Sequence, residues 1–192
     1  MVDAAIAGDH EALRSLWQQH RRWVAAVIIA HKPASADVDD LLQDVAATVV
    51  AKISTVSDAA AFVPWLRTVA MNAARLAGRR HVISSNGLRL VRERTEQSTG
   101  GVSEDSAEAS ARRDEAQKLM RLALGLSEEY REPLLLRAVQ GLSYREIASI
   151  LDLPETTVET RIARARRMLR EQAGALAPVS PGRLTDPAGS RI

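Results

Sequence analysis

SYREIASILDLPETTVETRIARARRMLR, residues 143–170, reads as two helices joined by a short turn. Ser143 and Glu146 have the S-x-x-E spacing of a capping box, which starts a helix at Ser143. Ile147, Ala148, Ile150 and Leu151 give that helix an apolar face. Asp152-Leu153-Pro154 stops it: proline cannot continue a helix and biases Leu153 away from αR, while Asp tolerates a left-handed turn better than most residues. A second helix starts near Glu155, with Val158, Ile162, Ala165 and Leu169 on one stripe that packs inward. Thr157, Thr160, Arg161, Arg164 and Arg167 fall on a separate arc, and residues 160–170 hold five arginines and no acid. Helix, three-residue turn, then a helix with one apolar and one basic face is the helix-turn-helix pattern, and such arginines suit phosphates and base edges of DNA. A solvated basic face on an ordinary bundle helix is the plainer reading, and it leaves the capping box, the turn and the Thr/Arg arc unconnected.

The rest of the composition bounds what that pattern can belong to. A chain of 192 residues holds one domain or two small ones. Hydrophobic residues make up 46% and charged ones 26%, ordinary for a globular protein, while aromatics at 3% and abundant Ala, Leu, Arg and Val favour an all-α fold. Net charge is only +2, so a nucleic-acid footprint has to be local. The absence of cysteine excludes disulfides, thiol catalysis and Cys-based zinc sites and is compatible with a reducing cytoplasm. The apolar run at residues 24–30 is too short to span a bilayer, and no signal peptide or membrane insertion is expected.

Upstream, Asp9 suits the N-cap of a helix to about Ala30, with Leu13, Leu16, Trp17, Val24, Val27 and Ile28 on its buried face. Residues 37–53, DVDDLLQDVAATVVAKI, form a second helix. Asp37 and Asp40 lie at N-cap and N3, where negative charge favours the dipole; Asp40 and Asp44, one turn apart, equally suit an acidic docking edge. After a loop at residues 54–61, a third helix runs from about Ala60 to Arg80, with Pro64 in its first turn and Phe62, Trp65, Leu66, Val69 and Ala73 buried. Asn72, Arg75, Arg79 and Arg80 make its polar side increasingly basic, suited to a helix end or to nucleic acid. Residues 81–107 read as a flexible linker with a short helical piece near residues 88–94. Helix resumes near Ala109 to about Leu124. Ser127 caps a further helix that ends at Gly141, and residues 173–192, with Pro178, Pro181, Pro187 and three glycines, read as a disordered tail.

Taken together, residues 5–172 resemble the sigma-70 family of bacterial RNA polymerase sigma factors, more narrowly the small extracytoplasmic-function (ECF) type. LSEEYREPLLLRAVQGLSYREIASILDLPETTVETRIARARRMLRE resembles region 4 almost end to end; DVDDLLQDV resembles region 2.2, and FVPWLRTVAMNAARLAGRR regions 2.3 and 2.4. The resemblance implies two small helical domains, sigma-2 at residues 1–80 and sigma-4 at residues 108–172, and a factor that recognises and opens promoters with no catalytic site, metal or cofactor of its own. By resemblance, Asp40, Leu41, Gln43 and Asp44 dock on the coiled coil of the beta-prime subunit of core polymerase, an orientation that acidic residues facing a basic partner would steer. Asn72, Arg75 and Arg79 read the −10 element. The loop at residues 54–61 receives a flipped base, since Phe62 and Trp65 are claimed by the core. Thr157, Thr160, Arg161, Arg164 and Arg167 meet the −35 element. The implied partners are core polymerase, through the beta-prime coiled coil and the beta flap, promoter DNA, and an anti-sigma factor that clamps the two domains. The chain departs from common family residues at Leu76 (often Asp), Glu159 (often Lys) and Asp152 (often Gly), which bears on promoter sequence more than on fold.

Other readings leave more unexplained. An ordinary helix-turn-helix regulator gives no role to the acidic helix or to residues 62–80. An all-helical metal enzyme would use the acids at 39, 40 and 44 on Mg²⁺, but their spacing is wrong and no second acidic motif faces them. A polymerase-binding protein that no longer initiates would not need the arginine arc. The linker composition makes a prediction: limited proteolysis of the free protein cuts first within residues 81–107 and leaves two stable fragments. A first cut inside residues 37–53 would contradict that layout.

Overall fold

The computed structural model describes residues 1–87 and 107–175. All regular structure among these is helical: α1 (Val2–Ile6), α2 (His10–His31), α3 (Val38–Lys52), a 3₁₀ turn (Ile53–Thr55), α4 (Ala59–Gly87), α5 (Ala107–Leu124), α6 (Glu128–Gln140), α7 (Tyr144–Leu151) and α8 (Glu155–Ala175).

The helix starts follow from side-chain caps. Asp9 Oδ1 accepts from the N–H groups of Glu11 and Ala12 at 2.9 and 3.0 Å and opens α2. Asp37 Oδ1 accepts from Asp39 and Asp40 at 2.8 and 3.2 Å and opens α3. Asp58 Oδ1 accepts from Ala61 at 2.9 Å and opens α4. Each cap satisfies N–H groups that have no intrahelical acceptor, a contribution of about 1 kcal/mol. Ser127 stands at the N-cap of α6 without a side-chain hydrogen bond. Gly141, at φ 68° and ψ 14°, closes α6 in the left-handed conformation that glycine adopts without Cβ strain.

α2 is the central element. Val24, Val27 and Ile28 are fully buried, and α2 packs against α1, α3, α4 and, across to the second half, α6. Leu41, Val45 and Val49 of α3, with Phe62, Leu66 and Ala70 of α4, complete the first core. In the second half α6, α7 and α8 pack through Leu136, Ile147, Ile150, Val158 and Ile162, which join the same continuous apolar cluster. A second cluster sets Ala30 of α2 beside Ala123, Leu126, Leu134, Leu135 and Ala165. The two halves expected as separate domains are therefore in direct contact, through α2 with α6 and α4 with α7.

Several expectations are corrected. α1 has no counterpart in the sequence reading, because five residues carry too little periodicity to register. Pro64 lies in the second turn of α4, not the first; it is exposed there, and its carbonyl accepts from the Thr68 hydroxyl at 3.0 Å. The loop is shorter than residues 54–61, because the Asp58 cap starts α4 at Ala59. Helix α4 runs past residue 80 to Gly87, and α8 runs to Ala175, so neither expected boundary is a helix end. The remainder of the linker, its proposed short helix and the rest of the tail fall outside the described residues. On α4, Trp65, Val69 and Ala73 are only partly buried, while Ala70 and Ala74 take the core positions.

The helix-turn-helix has both bonds of the capping box: Ser143 Oγ accepts from the Glu146 N–H at 3.2 Å, and the Glu146 carboxylate accepts from the Ser143 N–H at 2.7 Å. The Ser143 hydroxyl, which donates to the same carboxylate at 2.7 Å, and then the Ser143 N–H hold the Glu146 carboxyl below its ordinary value. At the turn, Asp152 has φ 53° and ψ 52°, the one non-glycine residue with positive φ among those described. Ser143→Ala should therefore cost about 1 kcal/mol, a fall of a few degrees in thermal midpoint. Asp152→Ala should cost about 1 kcal/mol, because Ala keeps the β-carbon but lacks the short polar side chain that lets Asp adopt this region, while Asp152→Gly is close to neutral, because glycine has no β-carbon to strain. Equal effects of Ala and Gly at 152 would contradict this account.

Candidate nucleic-acid interface

On α8 the inward stripe is as periodicity requires: Val158, Ile162 and Ala165 are fully buried and Leu169 is half-buried. Packing of that stripe fixes the helix's rotation and presents the opposite arc. Thr157, Thr160, Arg161 and Arg164 come together there with Thr156 around an open depression of about 330 Å³. The Thr160 hydroxyl donates to the Thr156 carbonyl at 2.8 Å, which leaves its lone pairs outward as acceptors. The depression lies toward the positive end of the α8 dipole, which adds to the arginine charge. Arg167 is not part of it: it is exposed one turn on, with Nε 3.7 Å from a Glu171 carboxylate oxygen.

Tyr130 completes the depression, and the sequence reading missed it. It comes from α6, and the Arg164 guanidinium lies 5.5 Å from its ring centroid, a cation–π distance that limits where Arg164 can point. Nothing local to residue 130 marks this role, since the partner is 34 residues further on and the register between α6 and α8 is set by the core.

In the first half, α3 and α4 border a groove of about 900 Å³. Asn72 and Arg79 stand on the α4 wall with Trp65 and Thr68; Asp44, Thr48 and Lys52 stand on the α3 wall. Trp65, expected in the core with Phe62, instead shows part of its ring to this groove, whereas Phe62 is buried. Arg75 is directed elsewhere: its guanidinium donates to Glu128 of α6 at 2.7 Å. The structure thus groups Asn72 with Arg79 and separates Arg75 from them. At the start of α4, exposed Ser54, Thr55, Ser57 and Asp58 form a polar loop anchored by buried Ile53 and Val56. The Thr55 hydroxyl donates to the Lys52 carbonyl at 2.7 Å.

Asp40, Gln43 and Asp44 form an exposed edge on α3. Leu41 does not belong to it; at 5% exposure it is a core residue, one turn before Val45 and two before Val49 on the buried stripe. No group of three or more His, Asp or Glu among the described residues is arranged to hold a metal ion.

One polar cluster joins the halves. Glu132 of α6 is buried, with 4% of its side chain exposed, and receives a two-pronged hydrogen bond from Arg67 of α4 at 2.8 and 2.7 Å. His31, at the end of α2, places Nε2 3.1 Å from Glu132 and Nδ1 3.5 Å from Glu128. Burial alone would raise the Glu132 carboxyl; the bonds and charges of His31 and Arg67 outweigh it and hold the group below its ordinary value.

The matches to known proteins follow the two halves. Residues 16–82 match the family model described as Sigma-70 region 2, and residues 116–169 match Sigma-70, region 4. The ECF RNA polymerase sigma-E factor of Escherichia coli strain K12 is 30% identical over 175 residues, 88% of this chain and 90% of that one. The sigma-E factor of Haemophilus influenzae is 27% identical over 181 residues, 90% and 93% of the two chains. Among solved structures, CnrH in complex with the cytosolic domain of CnrY has 25% identity and a TM-score of 0.60, covering 92% of this chain and 96% of that one. The sigma factor RpoE in complex with the anti-sigma factor NepR from Bartonella quintana shares the fold at 22% identity and a TM-score of 0.54, over 85% and 98%.

The ion cluster gives a pH dependence of definite sign. A carboxyl lowered by folding contributes its stability fully above its unfolded value, here 4.5, and loses it as pH falls through the lower folded value. The thermal midpoint of the native chain should therefore drop more steeply below pH 4.5 than that of Glu132→Gln. Parallel curves would show that Glu132 is not held as an ion.

Proposed function

The chain belongs to the sigma-70 family as an ECF-type RNA polymerase sigma factor, and from that premise we propose how its surfaces divide the work of initiation. The exposed edge of Asp40, Gln43 and Asp44 docks on the beta-prime coiled coil of core polymerase; Leu41 supports this edge from the core. The second half engages the beta flap. Helix α8 enters the major groove of the −35 element, where Thr157, Thr160, Arg161 and Arg164 meet bases and nearby phosphates, and Arg167 binds phosphate further along. Asn72, Arg75 and Arg79 of α4 take the −10 element, and the polar loop before α4 receives a base that leaves the stack. Trp65, partly open to the groove beside Asn72, adds a surface on which an unstacked base can lie. The factor positions and opens DNA, and bond making belongs to the polymerase. It works where the polymerase does, in the cytoplasm, and an anti-sigma factor that binds both halves holds it in reserve.

The observation that carries this reading beyond a plain DNA-binding module is the acidic edge of α3. Carboxylates repel phosphates, so a module that only bound DNA has no use for them there. A sigma factor has a second, protein partner that does. The chain also has no helix, among the described residues, long and apolar enough to cross a membrane, as suits a factor that shuttles between a regulator and the polymerase.

Two experiments test the assignments. Asp40→Lys with Asp44→Lys should lower affinity for core polymerase at least about tenfold while helical content is unchanged, because both side chains are exposed and only Asp40 lies in the first turn of α3, where charge reversal costs under about 1 kcal/mol. Unaltered affinity removes the docking role. Arg161→Ala should cost about 1–3 kcal/mol on the preferred −35 sequence and relax preference at one position. Arg167→Ala should weaken all sequences alike and reduce the salt slope by about one. If both variants lose affinity equally on every sequence, Arg161 does not read a base.

A further inference from the structure

An arginine that reads a base needs free N–H donors and a fixed plane. A carboxylate partner fixes the plane but takes up donors: Arg75 gives one to Glu128 at 2.7 Å, and Arg167 Nε lies 3.7 Å from Glu171. An unheld arginine keeps its donors but loses rotamer freedom when it binds. Arg164 is held in a third way. Its guanidinium carbon lies over the Tyr130 ring, 5.5 Å from the centroid, and among the described residues no hydrogen bond or ion pair engages it. The ring attracts the cation through its π face, so the contact orients the guanidinium without occupying an N–H.

We propose that Tyr130 is a specificity-determining residue for the −35 element: its ring aims the Arg164 guanidinium at the O6 and N7 acceptors of one guanine in the major groove. This rests on the assignment of α8 to that element. Guanine is the base that fits, because it presents two acceptors side by side to the paired donors of a guanidinium. Adenine sets an amino group beside its one acceptor, and that group faces donor to donor with the arginine. The ring is itself fixed. Tyr130 is half-buried in the first turn of α6 and packs on the cluster of Ala123, Leu126, Leu134, Leu135 and Ala165. Ala165, fully buried, is the neighbour of Arg164 on α8, so the core that sets α6 against α8 also sets the ring beside the guanidinium. A tyrosine has only two torsions to settle, which makes it a stiffer support than a second long side chain. Its hydroxyl makes no hydrogen bond among the described residues, which leaves the ring face as the contact with Arg164. Among those residues Arg164 is the one cation over this ring, so the effect of Tyr130 falls at one base pair rather than on the whole element.

The experiment uses the full chain assembled with core polymerase. Duplex promoter fragments randomised across the −35 element are bound, and sequencing the bound fraction gives a preference at each base pair. The native chain should prefer guanine at one position, and Arg164→Ala should erase that preference. Tyr130→Leu, which keeps apolar packing but removes the ring, should lower the same preference by about three- to tenfold, the worth of a cation–ring contact expressed as an equilibrium ratio. Preferences at the other positions should stay as they are. Tyr130→Phe should restore what Tyr130→Leu loses. Pentafluorophenylalanine at position 130 has nearly the shape of phenylalanine and a ring face stripped of negative charge, so it should behave as Tyr130→Leu even if the leucine variant fails to fold. Replacing the preferred guanine by 7-deazaguanine, which lacks the N7 acceptor, should weaken the native complex more than the Tyr130→Leu complex. The inference is overturned if Tyr130→Leu weakens all sequences alike with every preference intact, which is the mark of a residue that only supports the fold. It is also overturned if the fluorinated ring serves as well as phenylalanine, or if the base preferred at the Arg164 position is not guanine. If Arg164→Ala leaves every preference unchanged, the base-reading assignment of Arg164 falls and the inference with it. If Arg164→Ala erases a guanine preference that Tyr130→Leu keeps, the inference alone falls.

Discussion

The arrangement of the molecule turns on one buried carboxylate. Glu132 sits on α6 between the end of α2 and the third turn of α4, and a charge at 4% exposure persists only if partners surround it. Arg67 and His31 supply them from two different helices. This requirement fixes α6 against both helices at once, more sharply than the neighbouring alanine and leucine contacts would, because apolar packing is non-directional and hydrogen bonds are not. With α6 in place, α8 is carried to the outside with its Thr/Arg arc free, and the acidic edge of α3 stays exposed. Of the promoter-facing cations proposed, Arg75 is the one drawn into the seam.

Within each half, by contrast, the working surfaces are rigid. α7 and α8 are set by the capping box at Ser143, the left-handed turn at Asp152 and the buried stripe of Val158, Ile162 and Ala165. A reading helix needs that rigidity, since base contacts tolerate little misplacement. Tyr130 extends it to Arg164. Between the halves the contact is mixed: the Glu132 cluster lies beside an apolar part in which Leu136, Ile147 and Ile150 share one cluster with Val27 and Leu66.

What was legible in the sequence was local. The caps at Asp9, Asp37 and Ser143, the stop at residues 152–154 and the two-faced α8 follow from short-range chemistry and period, and all stand in the structure. Motif position puts Leu41 with the docking residues, whereas its spacing to Val45 and Val49 marks a buried stripe. Pro64 lies beyond the first turn whether α4 is started at Ala60 or at Ala59, so spacing along the chain already excludes a first-turn place. The helical wheel gives Trp65 to the core, because it cannot tell a packed face from one that borders a groove. The contacts between halves, His31 to Glu132, Arg67 to Glu132 and Arg75 to Glu128, join residues 101, 65 and 53 positions apart. No local period encodes such pairs, and an isolated Glu in a helix reads as surface, so the seam emerged only from the three-dimensional arrangement.

The central claim is that this chain directs polymerase to promoters through two separate reading surfaces. It is tested most directly by sequencing RNA 5′ ends made by core polymerase on genomic DNA fragments, with and without the protein. The account predicts a discrete set of factor-dependent starts whose upstream sequences share two elements, near −35 and −10, at fixed spacing. Starts that do not change when the protein is added, or that share one element alone, would contradict it.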